Sequence, residues 1–406
     1  MLSQQWQRNL AAAFIAQLLT MAAWSFFFPF IPLYVQTLGV HGNEAAAQWA
    51  GAIAAASAIS MAISQPLWGA QADRVGRKPM LIRATLGLAI VTLLMGFATS
   101  PEQLLMLRFI QGAVSGIGGA VNALVASGTP RHRLGFALGL TQVGNFVGAS
   151  AGPLVGGVIA DNFGYRVSFY AAAVLMFVGA AVVIAIVQED FKRPAPGIAS
   201  ESTWSGVRSL AANAVIPIVV LVIFLIQFGA TIVNPILSLF IVDLHGDDNA
   251  ATVAGLVLAS TGFASAVSAL ALGRMSDRVG HVRVLTVCLL GAALAYFPQA
   301  LVGQVWHLLV LRILVGLFLG GLMPTANVLL AATVPPARRG AAFGLTSAAT
   351  SVASATAPLT GAGIATFAGI RAVFVATGVL YAFGCGWVTL GLSRARAQEA
   401  RKQVSY

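Results

Sequence analysis

A chain of 406 residues with 58% hydrophobic and only 9% charged side chains lacks the ionic groups, about a quarter of residues, that an ordinary globular surface displays; lipid must be its main solvent. The net charge of +11 would raise nucleic acid as a partner, but it is concentrated in alternate connections between apolar runs and so reports membrane topology. No Walker A pattern, no His and Cys cluster at metal spacing and no nucleophile, base and orienter set stands out, which argues against an enzyme, an ATP-driven pump, a metal centre and a bound cofactor.

Apolar runs of the roughly 20 residues needed to cross a bilayer recur along the chain: 9–37, 46–68, 80–99, 103–127, 135–160, 165–187, 213–241, 251–272, 283–300, 305–332, 341–368 and 370–392. They are numbered here as spans 1 to 12. Span 1 follows Trp6 and Arg8, is too long for a signal-peptide core and has no evident small-residue cleavage site, so it reads as a retained helix. It carries Gln17, Trp24, Phe27 and Tyr34, polar and aromatic groups available to line a cavity. Between spans 2 and 3 comes a charged turn, Gly69-Ala-Gln-Ala-Asp73-Arg74-Val-Gly76-Arg77-Lys78. Its glycines permit a tight turn, and Asp73 stands where it can pair with Arg74, Arg77 or a helix terminus.

Span 4 embeds Arg108, with Gln111 and Asn122 after it. A guanidinium two turns inside a span is costly; it marks a pathway or bonds helix carbonyls to hold the scaffold. Span 5 holds Gln142 and Asn145 and a stripe of Gly144, Gly148, Gly152, Pro153, Gly156 and Gly157. Glycine at every fourth position clears one helix face for another backbone, and Pro153 permits a kink. Cys288 and Cys385 both fall inside spans, so no disulfide framework is expected.

A polar interval from Gln188 to about Ala212 follows span 6, and beyond it the sequence repeats itself. Gly273-Arg-Met-Ser-Asp277-Arg278-Val-Gly280 copies the charged turn, Pro29 aligns with Pro235, Arg108 with Arg312, Gly139-Leu-Thr141 with Gly344-Leu-Thr346, Pro153 with Pro358 and Arg166 with Arg371. The copy is worn, with His281 and Val282 where the first has Arg77 and Lys78. Parallel repeats of six spans predict an all-α membrane protein, twelve transmembrane helices in two pseudo-symmetric six-helix bundles. The amino-terminal half is 1–190, a cytoplasmic linker 191–212, the carboxy-terminal half 213–393 and a cytoplasmic tail 394–406. The second half offers Gln227, Phe228, Asn234 and Asn327 to a cavity. With the amino terminus inside, only Arg166 and Arg371 fall outside and Arg108 and Arg312 are embedded; every other Lys and Arg is cytoplasmic, as are both termini.

These residues resemble the major facilitator superfamily over essentially the whole chain, and within it the twelve-span drug:proton antiporter branch. The resemblance implies a cytoplasmic latch at Gly69, Asp73, Arg74, Gly76, Arg77 and Lys78, weakly copied at Asp277 and Arg278, with the aspartate contacting the start of span 11 near Arg338 and Arg339. It implies proton coupling at Asp73, Arg108 and Gln111. The stripe from Gly144 to Gly157 resembles the signature that accompanies export rather than uptake, although packing alone explains its glycines. No Asp or Glu lies deep in any span, so coupling would use Asp73, Asp161, Asp243 or Glu44 near the surfaces, a His such as His307, or an acidic cargo. Two embedded arginines without embedded anions favour neutral or anionic cargo.

The expectation is a secondary transporter of the cytoplasmic (inner) membrane that exports drug-like or amphipathic small molecules by alternating access, in exchange for protons, as a monomer surrounded by lipid and without nucleic acid. Two rivals stand beside it: an uptake carrier for a nutrient or metabolite, which needs a denser polar cavity, and a transport-inactive membrane receptor.

Overall fold

A computed structural model describes residues 2–130, 133–189, 215–246, 248–334 and 339–404; the linker expected at 191–212 lies outside them. Among the described residues there is no strand. Among the described residues, eleven segments are long and apolar enough to cross a membrane, from Gln5–Thr37 to Ile370–Gly391. The remaining expected span, span 11, is also a helix, Arg339–Ala368, of 30 residues. Its hydroxyls lower its hydropathy, but most are neutralised locally: Thr346, Thr350, Ser351, Thr356 and Thr360 each donate to a carbonyl three or four residues back, at 2.8 to 3.0 Å. Back-bonding of this kind lets a hydroxyl-rich helix satisfy itself inside lipid.

Prolines shape the spans in matching places. Span 1 runs as Leu2–Phe27, a 3-10 turn at Phe28–Phe30 containing Pro29, and Ile31–Thr37. Span 7 is likewise divided, into Ile216–Ile232 and Asn234–His245, with Pro235 just past the break. The repeated turn is also reproduced: Gly76 has φ +104° and Gly280 φ +99°, each donating its N–H to a carbonyl four residues back at 3.0 Å. Both are in the left-handed region open to glycine, and each ends one helix while starting the next, Asn43–Val75 to Arg77–Met95 and Ala250–Val279 to His281–Tyr296.

The halves differ in span 4 and its copy. Span 4 is two helices, Pro101–Val114 and Ile117–Gly128, parted at Gly116 with φ +129°. Span 10 is one continuous helix, Val305–Thr333.

By packing, the chain forms two compact units, Met1–Pro196 with Pro235–Gly262, and Gly197–Asn234 with Phe263–Tyr406. In the first, span 1 packs on spans 5 and 6, span 2 on span 4, and span 3 on span 6. In the second, the Ile216–Ile232 part of span 7 packs on spans 11 and 12, and span 9 on spans 10 and 12. Residues 235–262 group with the first unit because glycines join spans 5 and 8: a Cβ at Gly157 would meet the Ala251 carbonyl, and one at Gly255 the Pro153 carbonyl. Large apolar side chains such as Phe97, Phe263 and Phe367 face outward, as lipid contact requires.

The stripe in span 5, the helix Leu134–Phe163, is a seam against span 1. A Cβ at Gly148 would lie 2.6 Å from the Leu18 carbonyl oxygen and 2.8 Å from the Ala22 nitrogen, and one at Gly156 would fall on the Phe26 backbone. Among the described residues of span 11, Gly361 makes the corresponding contact, against the Ile232 carbonyl of span 7. Because the obstructing atoms are backbone, Gly148→Val should cost about 1–3 kcal/mol through overpacking. Gly139→Ala enters open space and should leave stability unchanged. Thermal melts of the purified variants in one detergent compare them, and equal midpoints would refute the seam.

Candidate functional site

The charged turn is tied down by a residue just past the end of span 6. Glu189 accepts from the backbone N–H groups of Arg77 at 2.9 Å and Lys78 at 2.7 Å, and Lys78 Nζ donates to the Ile184 carbonyl at 3.1 Å. The carboxylate thus occupies the amino terminus of Arg77–Met95, where orphan amides and the helix dipole favour an anion. Arg74 and Arg278 lie in the last turns of their helices, where the dipole favours a cation. Gly69 has open space around it. In the second copy His281 Nδ1 lies 3.2 Å from Ser276 Oγ. The side chains of Asp73, Asp277 and Arg339, and Arg338 altogether, lie outside the described residues, as does the latch contact the resemblance implies.

The embedded arginines are enclosed by aromatic rings. Arg108 is 1% exposed; its Nη1 donates to Gln111 Oε1 at 2.5 Å, Gln111 Nε2 donates to Thr92 Oγ1 at 2.9 Å, and the Thr92 hydroxyl reaches Met176 Sδ at 3.6 Å. Its Cζ stands 5.2 Å from the Phe28 ring centroid and 5.9 Å from that of Phe27, a cation–π setting. Arg312, 5% exposed, has its Cζ 5.6 Å from the rings of Tyr296 and Phe374. Arg108 Nε and both Nε and Nη2 of Arg312 have no hydrogen-bond partner. Arg108 therefore sits in a polar relay, whereas Arg312 rests among rings.

A third arginine, Arg83, lies near the start of span 3, where the sequence alone reads its charge as a mark of topology. The Arg83 guanidinium stacks on Trp68, Cζ 3.6 Å from the ring centroid, and donates to the carbonyls of Val114 at 3.0 Å and Ser115 at 3.4 Å. The Trp68 indole N–H donates to Ala113 O at 2.6 Å. Together they satisfy the carbonyls freed by the break at Gly116. The signal was available: the repeat positions of Trp68 and Arg83 are Leu272 and Val287, and span 10 is unbroken.

The cavity candidates divide by burial. Phe27 and Tyr34 are enclosed, both rings against Phe169 at 4.7 and 5.0 Å, and the Tyr34 hydroxyl donates to Met95 O at 3.2 Å. Gln17 is buried with Oε1 unpartnered, and half-buried Trp24 stacks on Phe28 at 4.1 Å. Gly144 meets Phe14 and Gly148 meets Leu18, so Asn145, half-buried, stands at the level of Gln17 along the seam. Asn122 and Gln142 are exposed; Gln227, Phe228, Asn234 and Asn327 are half-buried. Gln227 Nε2 donates to Ser354 Oγ at 3.0 Å, and Phe228 tilts on Phe224 at 5.6 Å.

The family pattern described as Major Facilitator Superfamily matches residues 13–221 and 219–405. The chain belongs to this superfamily. It is 36% identical over 397 residues to the multidrug resistance protein MdtG of Enterobacter lignolyticus (strain SCF1), covering 97% of this chain and 94% of that protein. Against MdtG of Salmonella typhimurium it is 36% identical over 396 residues, covering 96% and 97%. Among solved structures, a bacterial homolog to the human lysosomal transporter Spinster, inward-facing and unoccupied, gives a TM-score of 0.80 at 16% identity, covering 96% of this chain and 97% of that one. The human organic anion transporter MFSD10 (TETRAN) gives 0.71 at 18%, covering 94% and 99%. At such identities the two structures speak for the fold alone, a major facilitator fold.

For this superfamily member two tests follow from the geometry. Gln111→Leu strips Arg108 of its acceptor and should lower stability by about 1–3 kcal/mol. Adding Arg108→Met should recover most of that loss, since it removes the stranded charge; a double variant no more stable than Gln111→Leu in thermal melts would refute the relay. Glu189→Gln should speed hydrogen exchange of the Arg77 and Lys78 amides by about tenfold, as expected on losing a charged cap; unchanged exchange there would show that the cap holds nothing.

Proposed function

We infer that this protein is a secondary transporter that exports drug-like, amphipathic small molecules across a bacterial inner membrane by alternating access, in exchange for protons, with both termini cytoplasmic. The observation that carries the reading is its likeness to multidrug resistance proteins along almost the whole chain. The seam of span 5 against span 1 agrees with it, because a rigid pair of helices lets one bundle move as a body.

In this reading the two six-span halves, 1–190 and 213–393, rock about a shared cargo site. The turn from Gly69 to Lys78 is the cytoplasmic latch, with Asp73 as its acidic member and Asp277 and Arg278 as a reduced copy. Arg108 and Gln111 serve proton coupling: a relay through Thr92 gives a buried guanidinium few compensating partners, so a change in Gln111 or in a nearby charge is felt strongly. Gln17, Trp24, Asn122, Gln142 and Asn145 from the first half, and Gln227, Phe228, Asn234 and Asn327 from the second, supply amides and rings for cargo. A few amides among apolar walls suit bulky amphipathic compounds. The enclosed Arg108 and Arg312 act on cargo through their field, not by contact.

Expression in cells stripped of their own exporters should lower steady-state accumulation of fluorescent dyes, tested across a panel of neutral, anionic and cationic members. An ionophore that collapses the proton gradient should abolish the difference, as should Arg108→Ala at equal membrane abundance. Equal accumulation with and without the protein for every dye would overturn the export reading, and uphill entry of a nutrient would replace it with uptake.

A further inference from the structure

The carboxyl end of span 5 and the amino end of span 8 meet within the first compact unit. Asp161, in the last turn of Leu134–Phe163, accepts from the backbone N–H groups of Ala251 at 3.2 Å and Thr252 at 2.6 Å, one on each carboxylate oxygen. Those amides open the helix Ala250–Val279, where no intrahelical acceptor exists and the dipole favours an anion. Small residues bring the backbones together: Gly157 faces the Ala251 carbonyl, Gly255 the Pro153 carbonyl, and Gly262 the Ser150 side chain. Nearby, Asn43 Nδ2 donates to Asp243 Oδ1 at 2.8 Å, joining the start of span 2 to the end of span 7.

Three features mark this contact as releasable rather than permanent. Asp161 is half-buried, so water can take over both of its hydrogen bonds at modest cost. The rest of the seam is glycine against backbone or against the small Ser150 side chain, which separates without disengaging long interlocked side chains. The charge also has no copy in the repeat: the position matching Asp161 is Thr366, a neutral residue. A charge placed on one side of a two-fold repeat biases one closed state over its mirror image.

We propose that Asp161 is a positioning residue of the transport cycle, a latch that holds the start of span 8 to the end of span 5 and sets the fraction of molecules with that end closed. Its role in transport rests on the export reading, but the closed fraction is a property of the resting protein. The test uses the full chain with Cys288 and Cys385 replaced by serine, spin-labelled at Phe163→Cys and Leu256→Cys in lipid nanodiscs, with distances from pulsed electron resonance. Asp161→Asn and Asp161→Ala should raise the ratio of separated to closed populations by about tenfold, the effect of losing a charge-assisted hydrogen bond. Asp161→Glu should stay near the parent. Distributions for Asn and Ala that overlay the parent would overturn the latch, and so would a lower melting temperature with an unmoved distribution, which is the mark of a plain helix cap. If Asp161→Ala does not accumulate, the isosteric Asp161→Asn carries the test. A parent protein that exports no dye while the distance shift is present sinks the export reading and leaves the latch standing.

Discussion

Every backbone N–H and C=O of this chain that lies in lipid must find a partner inside the protein, because the bilayer offers none. Unbroken helix meets that demand without help. Each departure from it needs a side chain brought from elsewhere, and these few side chains are where the protein's chemistry concentrates. Arg83 and Trp68 cover the carbonyls at the break before Gly116. Tyr34 and Arg166 cover Ala98 O at 3.3 Å each, at the end of span 3, and Arg371 covers Ala300 O at 2.9 Å in the corresponding place. Glu189 and Asp161 do the same for amides at two helix starts.

This demand also explains the one-sided character of the two halves. A duplicated chain begins with the same solutions in both copies, and many survive, including the left-handed glycines at 76 and 280 and the paired arginines at 166 and 371. Where the copies differ at span 4 and its counterpart, the first half carries the polar contacts. Span 4 is broken and clamped while span 10 is continuous, and Arg108 feeds a relay of side chains while Arg312 rests on rings. Polar contacts buried in an apolar setting are strong, yet each depends on a single partner. Such contacts suit states that must be held firmly and exchanged for one another.

The number and order of spans, the repeat, the charged turn, the embedded arginines and the glycine stripe were all legible along the chain. Composition, period and spacing are local or periodic properties, and lipid makes them unusually strict. Partners were not legible. Glu189 read as the start of a polar interval, Arg83 as a topological charge, and Asp161 as one acid among several near a surface. Phe27 and Tyr34, which looked available to a cavity, are enclosed against Phe169. A side chain's type does not say which way its helix is turned.

The sequence by itself determined a helical, lipid-solvated, duplicated chain of the major facilitator type, because hydropathy and repetition act residue by residue along the backbone. Only the tertiary structure decided that the glycine stripe closes on span 1, that Trp68 and Arg83 guard a break in span 4, and that Asp161 holds the start of span 8. Those are meetings of residues distant along the chain, fixed by how helices rotate and approach, and no local pattern encodes them.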